Sequence, residues 1–294
     1  MKILISGCQG QVGWELMRAL LPLGDVVALS RRQFDLTEPE KICAAIRDIG
    51  PDVLVNAAAY TAVDQAEQES ELAQTINASA PGWMAEEMKK RQGLIIHYST
   101  DYVFDGCSDR PYRETDSPKP INVYGKTKLA GEMAIRESGA DHVVLRTSWV
   151  YAARGRNFLK TILRLAAERE ELSIVADQNG SPTWARLIAE TSAHILKQSV
   201  LEKKQGLFES DLYHLTSSGA TSWHGFAEAI IAMARQRDDF KVKTRRLEAI
   251  PTSAYPLPAQ RPLNSRLDVS KLEQKFGLHM PHWQDALSFC LQEV

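Results

Sequence analysis

Short apolar runs alternating with segments of helical periodicity limit the fold of this chain more than any other feature. Residues 2–6 (Lys-Ile-Leu-Ile-Ser), 26–29, 52–56, 93–99 and 142–147 are brief and rich in β-formers. Between them, Val12, Leu16, Ala19 and Leu20 recur on one helical face, and residues 40–49, 71–91 and 122–138 read as further helices. This alternation predicts βαβ units and a parallel sheet covered on both faces. The expected architecture is α/β, a doubly wound Rossmann-type sheet with a smaller C-terminal substrate lobe. Such sheets bind ligands beyond the carboxyl ends of their strands, so polar residues just past those ends are the functional candidates.

At 294 residues the chain has length for about two domains. Residues 1–150 are expected to form a dinucleotide-binding domain and 151–294 mainly a substrate-binding lobe, with about 170–210 returning to the first domain. Beyond residue 150 the pattern is less regular. Residues 157–169 and 222–236 read as helices, and 172–175 and 212–216 as strands. The Pro-rich stretch 250–266 reads as loop, and Lys203-Lys204 as a surface turn. A formal net charge of −2 excludes a strongly basic nucleic-acid binder. Cys8, Cys43, Cys107 and Cys290 form no Cys-x-x-Cys pair and suit free thiols in a reducing compartment. With no signal-peptide pattern and no apolar run of membrane-spanning length, a cytoplasmic protein without membrane contact is expected.

Gly7-x-x-Gly10-x-x-Gly13 lies between the first strand and the first helix. A dinucleotide site needs a sharp turn, close approach of backbone to a pyrophosphate, and a helix packed tightly on the sheet. Glycine permits all three, and the helix N-terminus supplies N–H donors. At the end of the second strand, where a carboxylate often grips a ribose hydroxyl, stands Ser30-Arg31-Arg32. Ser30 with an arginine suits a 2′-phosphate, which tilts the expectation toward NADPH, with NADH as the alternative.

Tyr124 and Lys128 are four residues apart, one turn along one face of a helix. An ammonium beside a phenol favours the phenolate and is expected to lower its pKa toward neutrality. Such a pair suits proton delivery to a carbonyl oxygen as hydride reaches its carbon. The fourth strand ends in Ser99-Thr100-Asp101-Tyr102, where a hydroxyl could bond the same oxygen. Asn56-Ala57-Ala58-Ala59 follows the third strand with side chains small enough for a cofactor to lie close.

Together with Asp35-Leu36, these motifs resemble the extended short-chain dehydrogenase/reductases that act on nucleotide sugars. The likeness narrows on Tyr60-Thr61-Ala62-Val63-Asp64, the run Ser99 to Gly106, Asn122 to Lys128, Arg146 to Tyr151, Asp177-Gln178-x-Gly180-x-Pro182-Thr183 and Arg261-Pro262-x-Asn264-Ser265. Over its whole length the chain resembles the dTDP-4-dehydrorhamnose reductase family. The resemblance implies reduction of a dTDP-linked 4-keto sugar to dTDP-L-rhamnose for bacterial surface polysaccharide such as O-antigen. It places Gly10, Gln11 and Val12 by the pyrophosphate, Ser30 by the adenosine ribose, and Asp35 and Leu36 by adenine. Ala59, Tyr60, Thr61 and Tyr98 would flank the rest of the cofactor. Thr100, Asp101 and Trp149 would meet the sugar nucleotide. A homodimer is also implied, at whose contact family members can hold Mg²⁺, although no ligand set for it stands out in the chain.

Other readings remain beside these. The superfamily also holds epimerases and dehydratases, and a dehydratase typically carries Glu where Tyr102 stands. It also includes the non-catalytic NADP-binding regulatory subunit of methionine adenosyltransferase. Trp149 suits stacking on a sugar or base, or a place in the core. Trp14, Trp83, Trp184, Trp223 and Trp283 read as packing residues. Arg261 suits a bidentate clamp on the substrate pyrophosphate, or a surface ion pair. His279-x-x-His282 has Pro281 between its histidines and no close carboxylate or thiol before Asp285, so no metal is expected there.

Overall fold

The computed structural model describes residues 1–294. Six parallel strands form the central sheet: β1 (Lys2–Ser6), β2 (Asp25–Leu29), β3 (Val53–Asn56), β4 (Leu94–Thr100), β5 (Asp141–Thr147) and β6 (Asp211–His214). Their spatial order is β6-β5-β4-β3-β1-β2. The chain therefore runs outward from β1 to β2, then returns to β3 on the other side of β1. That reversal opens a crevice past the carboxyl ends of β1 and β3, where such sheets take their ligands.

Alternate residues of each strand feed opposite layers. Ile3, Ile5, Val53, Val55, Leu94 and Ile96 pack on one face with Leu16 of helix α1 (Gln11–Ala19) and with Leu20, which caps its C-terminus. Leu4, Leu54 and Ile95 pack on the other with Ile42 and Ile46 of α2 (Pro39–Ile49), and with Met84 and Met88 of α3 (Ala80–Lys90). The expected strands and helices of the first 150 residues all form, with ends displaced by a residue or two.

The segment expected as helix 71–91 contains a defect. Residues Ser70–Gln74 are α-helical, Thr75–Ser79 form a π-turn, and α3 follows. Pro81 has no N–H to give the Asn77 carbonyl four residues back, so the regular ladder cannot run through this point. Helix α4 (Val123–Ser138) starts at Asn122, whose side chain accepts a hydrogen bond from the Gly125 N–H.

A long helix, α5 (Ala185–Gln205), occupies a segment with little apolar periodicity. Its buried face runs Ala185, Ile188, Ala189, Ser192, Ile195, Leu196 and Ser199. The spacing is helical, but serine and alanine fill much of the stripe and dilute the signal. Lys203 and Lys204 are accordingly not a turn but the last turn of α5, where cations complement the helix dipole. This helix packs on α1 and joins the sheet's core through Ile188, Ile195 and Leu196.

A separate cluster holds the remaining lobe together. Tyr151, Leu159, Ile162, Leu172, Phe226, Ile230, Trp283 and Leu287 are among its buried members. All four cysteines are free thiols. No helix is long and apolar enough to cross a membrane.

Candidate functional site

A cleft of about 880 Å³ opens over the crevice between β1 and β3. Its floor is backbone. Gly7 has φ +71°, in the left-handed region, and a Cβ there would stand 2.8 Å from Ala58 Cα. A Cβ on Gly13 would stand 2.1 Å from the Gly7 carbonyl oxygen. Neither position admits a side chain, so the turn, α1 and the Ala57-Ala58-Ala59 segment close on one another. No side chain caps α1 at Gly10. The first-turn N–H groups of Gln11, Val12 and Gly13 thus precede the first intrahelical bond, from Trp14 N–H to Gly10 O. These features fit a dinucleotide's pyrophosphate.

Of the sequence candidates, Gly7, Gly10, Gln11, Val12 and Arg31 line the cleft. Asp35, Leu36, Ala59, Tyr60, Thr61 and Tyr98 line its further reaches, and Tyr124 and Lys128 stand at its inner end. Gly13 lies beneath it. Ser30 is outside the lining, its hydroxyl bonded to Gln33 Oε1 at 2.8 Å. Asp35 accepts both the N–H and hydroxyl of Thr37, which hold its carboxyl below the usual range. Thr100, Asp101, Trp149 and Arg261 are also off the lining.

Tyr124 lies half-buried in the first turn of α4, its ring edge-on to Tyr102 at 5.5 Å. Gly125 lets the helix come this close: a Cβ there would be 2.1 Å from the Tyr102 carbonyl oxygen. The expected lowering of the phenol by Lys128 does not occur. Burial pushes Tyr124 up to about 12, with the Thr100 hydroxyl pulling the other way. Lys128 is 1% exposed and committed to β4, with Nζ 2.6 Å from the Tyr98 carbonyl oxygen and 3.1 Å from His97 Nε2. Burial lowers the lysine itself to about 8, opposed by Glu132 one turn along.

Thr100 ends β4, and its hydroxyl donates to Asp101 Oδ1 at 3.0 Å. Asp101 is 2% exposed, and burial raises its carboxyl to about 6. Its Oδ2 has no hydrogen-bond partner.

The substrate-side candidates hold partners from distant parts of the chain. Arg261 Nη2 pairs with Asp64 Oδ2 at 2.7 Å, a partly buried ion pair rather than a free clamp. Asn122 Nδ2 donates to Gln260 O at 2.8 Å, fastening the Pro-rich loop to the start of α4. Trp149 has φ +47°, unusual for a bulky residue, and its ring stacks on Trp223 at 3.6 Å and 6°. Trp223 packs on the lobe's core beside Phe158, as expected, and it also contacts the Trp149 ring.

Several residues were missed by motif reading. Asn77, in the π-turn, accepts the Tyr60 N–H at 2.8 Å and donates to Tyr60 O and Thr127 Oγ1, both at 3.1 Å. It ties the Tyr60 loop to α4, and Pro81 four residues on was the available signal. Glu69 receives the Tyr60 hydroxyl at 2.7 Å. Gly155 and Arg156 line the cleft from a loop that Asn157 pins to Gln11 Oε1 at 2.8 Å. Phe34 lines it too, beside Asp35. No group of three His, Cys, Asp or Glu side chains is placed to hold a metal.

Residues 1–294 match the family described as RmlD substrate binding domain. The chain is 52% identical to a dTDP-4-dehydrorhamnose reductase of Burkholderia thailandensis, over 100% of this chain and 99% of that one. It is 47% identical to the dTDP-4-dehydrorhamnose reductase of Escherichia coli K12, over 100% and 98%. The crystal structure of dTDP-4-dehydrorhamnose reductase from Bacillus anthracis, in complex with NADP, superposes with a TM-score of 0.89. It is 33% identical, with 100% of this chain and 99% of that one covered.

Proposed function

We propose residue roles from one premise: the chain belongs to the RmlD family of dTDP-4-dehydrorhamnose reductases. It is an NAD(P)H-dependent oxidoreductase that reduces the keto group of a dTDP-4-keto-6-deoxy sugar, giving dTDP-L-rhamnose for O-antigen biosynthesis. The observation that carries the role assignment is convergence. The Thr100 hydroxyl acts on the Tyr124 phenol where β4 ends, and Tyr124 and Lys128 both line a cleft whose backbone floor fits a dinucleotide.

A bound nicotinamide cofactor supplies the hydride that reduces the sugar's C4. Tyr124 gives its phenolic proton to the oxygen, so the carbonyl becomes a secondary alcohol. The phenol is protonated at neutral pH, so the proton is in place; burial, which raises its pKa, makes it a weaker acid than an exposed phenol. Thr100 donates a hydrogen bond to the same oxygen. Lys128 holds the nicotinamide ribose, while Gly10, Gln11 and Val12 bind the pyrophosphate through N–H groups. Asp35 and Leu36 border the adenine, with Ala59, Tyr60, Thr61 and Tyr98 along the remaining cofactor wall. Asp101 and Trp149 contact the sugar nucleotide, and Arg261 orders the loop over it.

Arg31 on the cleft wall supports NADPH as the preferred cofactor, its guanidinium pairing with a 2′-phosphate. The division into a dinucleotide-binding domain over 1–150 and a lobe over the rest is proposed with α5 and β6 assigned to the sheet side. A homodimer and a cytoplasmic location are proposed on family likeness, and sedimentation decides the first.

Oxidation of NADPH, followed by absorbance, tests the reading. Turnover is expected with the dTDP-linked 4-keto sugar and collapses with the free 6-deoxyhexulose, because the nucleotide supplies remote binding energy. Equal kcat/KM for the two sugars overturns the nucleotide-sugar assignment.

A further inference from the structure

His97, fully buried on β4, takes part in none of the steps above, yet it touches Lys128. Its hydrogen bonds have one consistent assignment. Asn56 Oδ1 accepts the Ala58 backbone N–H at 3.2 Å and the Ser6 hydroxyl at 2.6 Å. A backbone N–H only donates, so the carboxamide is fixed with its oxygen toward Ala58. Its nitrogen then faces His97 Nδ1 at 3.0 Å and donates to it. Burial, the larger influence on this fully enclosed ring, holds His97 well below its ordinary pKa whether or not Lys128 is charged, so the ring is neutral and carries one proton. With Nδ1 accepting, that proton is on Nε2.

The Nε2–H points at Lys128 Nζ, 3.1 Å away. An ammonium has no lone pair to accept it, and two donors face to face repel. A neutral amine accepts it and still donates a hydrogen to the Tyr98 carbonyl oxygen at 2.6 Å. We propose that Asn56 and His97 form a tautomer lock that favours an uncharged Lys128 in the free enzyme, so that cofactor binding is coupled to uptake of one proton from solvent by this lysine.

The surroundings permit the arrangement. Glu132 on α4 favours an ammonium, but both its oxygens are engaged by Arg146 of β5, at 2.9 and 2.6 Å, and Ser99 bonds it as well. The Tyr98 hydroxyl is paired with Ser192 of α5 at 2.6 Å. Tyr124 stays a neutral phenol, Asp101 interacts with Thr100, and β3 offers only Asn56. Burial, against the pull of Glu132, brings Lys128 down to about 8, and the His97 donor acts in the same direction. The phosphates of a bound cofactor reverse the balance by favouring positive charge in the cleft.

His97 is thus a positioning residue acting through Lys128. The cofactor arm of the inference rests on the assignment of Lys128 to the ribose; the tautomer does not. Long-range ¹H–¹⁵N spectra of ¹⁵N-histidine protein without nucleotide are expected to show His97 protonated at Nε2. The resonance is assigned by its loss in His97→Gln. A proton on Nδ1 overturns the lock, whatever the enzyme's substrate. NADPH titration calorimetry at pH 8, in buffers of different ionisation enthalpy, is expected to show proton uptake approaching one per site, and no uptake overturns the coupling.

In His97→Gln the carboxamide oxygen can accept from an ammonium. Uptake then falls toward zero, and the alkaline limb of NADPH affinity moves up by about one pH unit, roughly the worth of one hydrogen bond. An unmoved limb in a folded variant overturns the role of His97. Asn56→Asp, which demands a proton on Nδ1, is expected to move uptake and limb the same way, and unchanged uptake there equally counts against the lock.

Discussion

The cleft floor and the region beyond the cleft are built differently. The floor, the proposed cofactor side, is backbone against backbone: Gly7 against Ala58, Gly13 against the Gly7 carbonyl, and helix N–H groups left free. The region beyond it, the proposed substrate side, is side chain against distant partner across long stretches of sequence, with Asp64 on Arg261, Asn122 on the carbonyl of Gln260, and Trp149 on Trp223. One side is rigid because nothing larger fits. The other is held by individual contacts that can be exchanged one at a time. Damage to the first should be close to all-or-none, and damage to the second graded.

The severest test of that contrast is Gly13→Ala. The new methyl group has no space beside the Gly7 carbonyl, so NADPH binding, read by fluorescence titration, is expected to be lost outright. Retained affinity would mean the turn yields, and the contrast would fail. Tyr124→Phe comes next. It removes the proton and keeps the ring, so kcat is expected to fall by roughly 10²–10⁴ with NADPH affinity intact. Near-normal kcat would take Tyr124 out of the chemistry.

Arg31→Ala sharpens the cofactor side. Loss of a charge-assisted contact to a 2′-phosphate should weaken NADPH by about 10- to 150-fold while sparing NADH. Equal losses would make Arg31 a general electrostatic contributor. Trp223→Ala probes the substrate side by uncovering one face of Trp149. KM for the dTDP-sugar is expected to rise about tenfold, in line with an aromatic contact of roughly 1–1.5 kcal/mol, with NADPH affinity unchanged. A loss of NADPH affinity would put the tryptophan pair on the wrong side.

The smallest effect concerns Asp101. Burial raises its carboxyl to about 6, above the unfolded value, so the folded chain holds more protons between those limits. Its contribution to stability therefore declines as pH rises from about 4 to 6. In Asp101→Asn this decline disappears. The difference in Tm between variant and parent should move in the variant's favour by a few degrees across that interval. A constant difference would mean Asp101 does not titrate there.

Legibility follows the same division. The strands, the glycine turn and the Tyr124–Lys128 pair could be read because each is fixed by neighbours within a few residues. α5 escaped notice because Ser192 and Ser199 fill buried positions that an apolar pattern needs. The partners of Arg261 and Trp149 are set by tertiary packing, which local pattern does not encode. The charge expected to lower Tyr124 was a question of orientation. Spacing placed Lys128 one turn away, but its Nζ bonds β4, and burial dominates the phenol. Asn77 was the subtler omission, since nothing about an asparagine in a helical run announces a π-turn except the proline that follows.

The route of the chain carries one more consequence. It leaves the sheet after β5, returns through α5 and β6, departs again for the helix Trp223–Ala234, and comes back with Leu272 and Met280 to the sheet's core. The lobe is therefore stitched to the sheet at several crossings and not hung from one linker. A protease cutting a single exposed loop should leave both parts associated, and neither part expressed alone carries all of its own core.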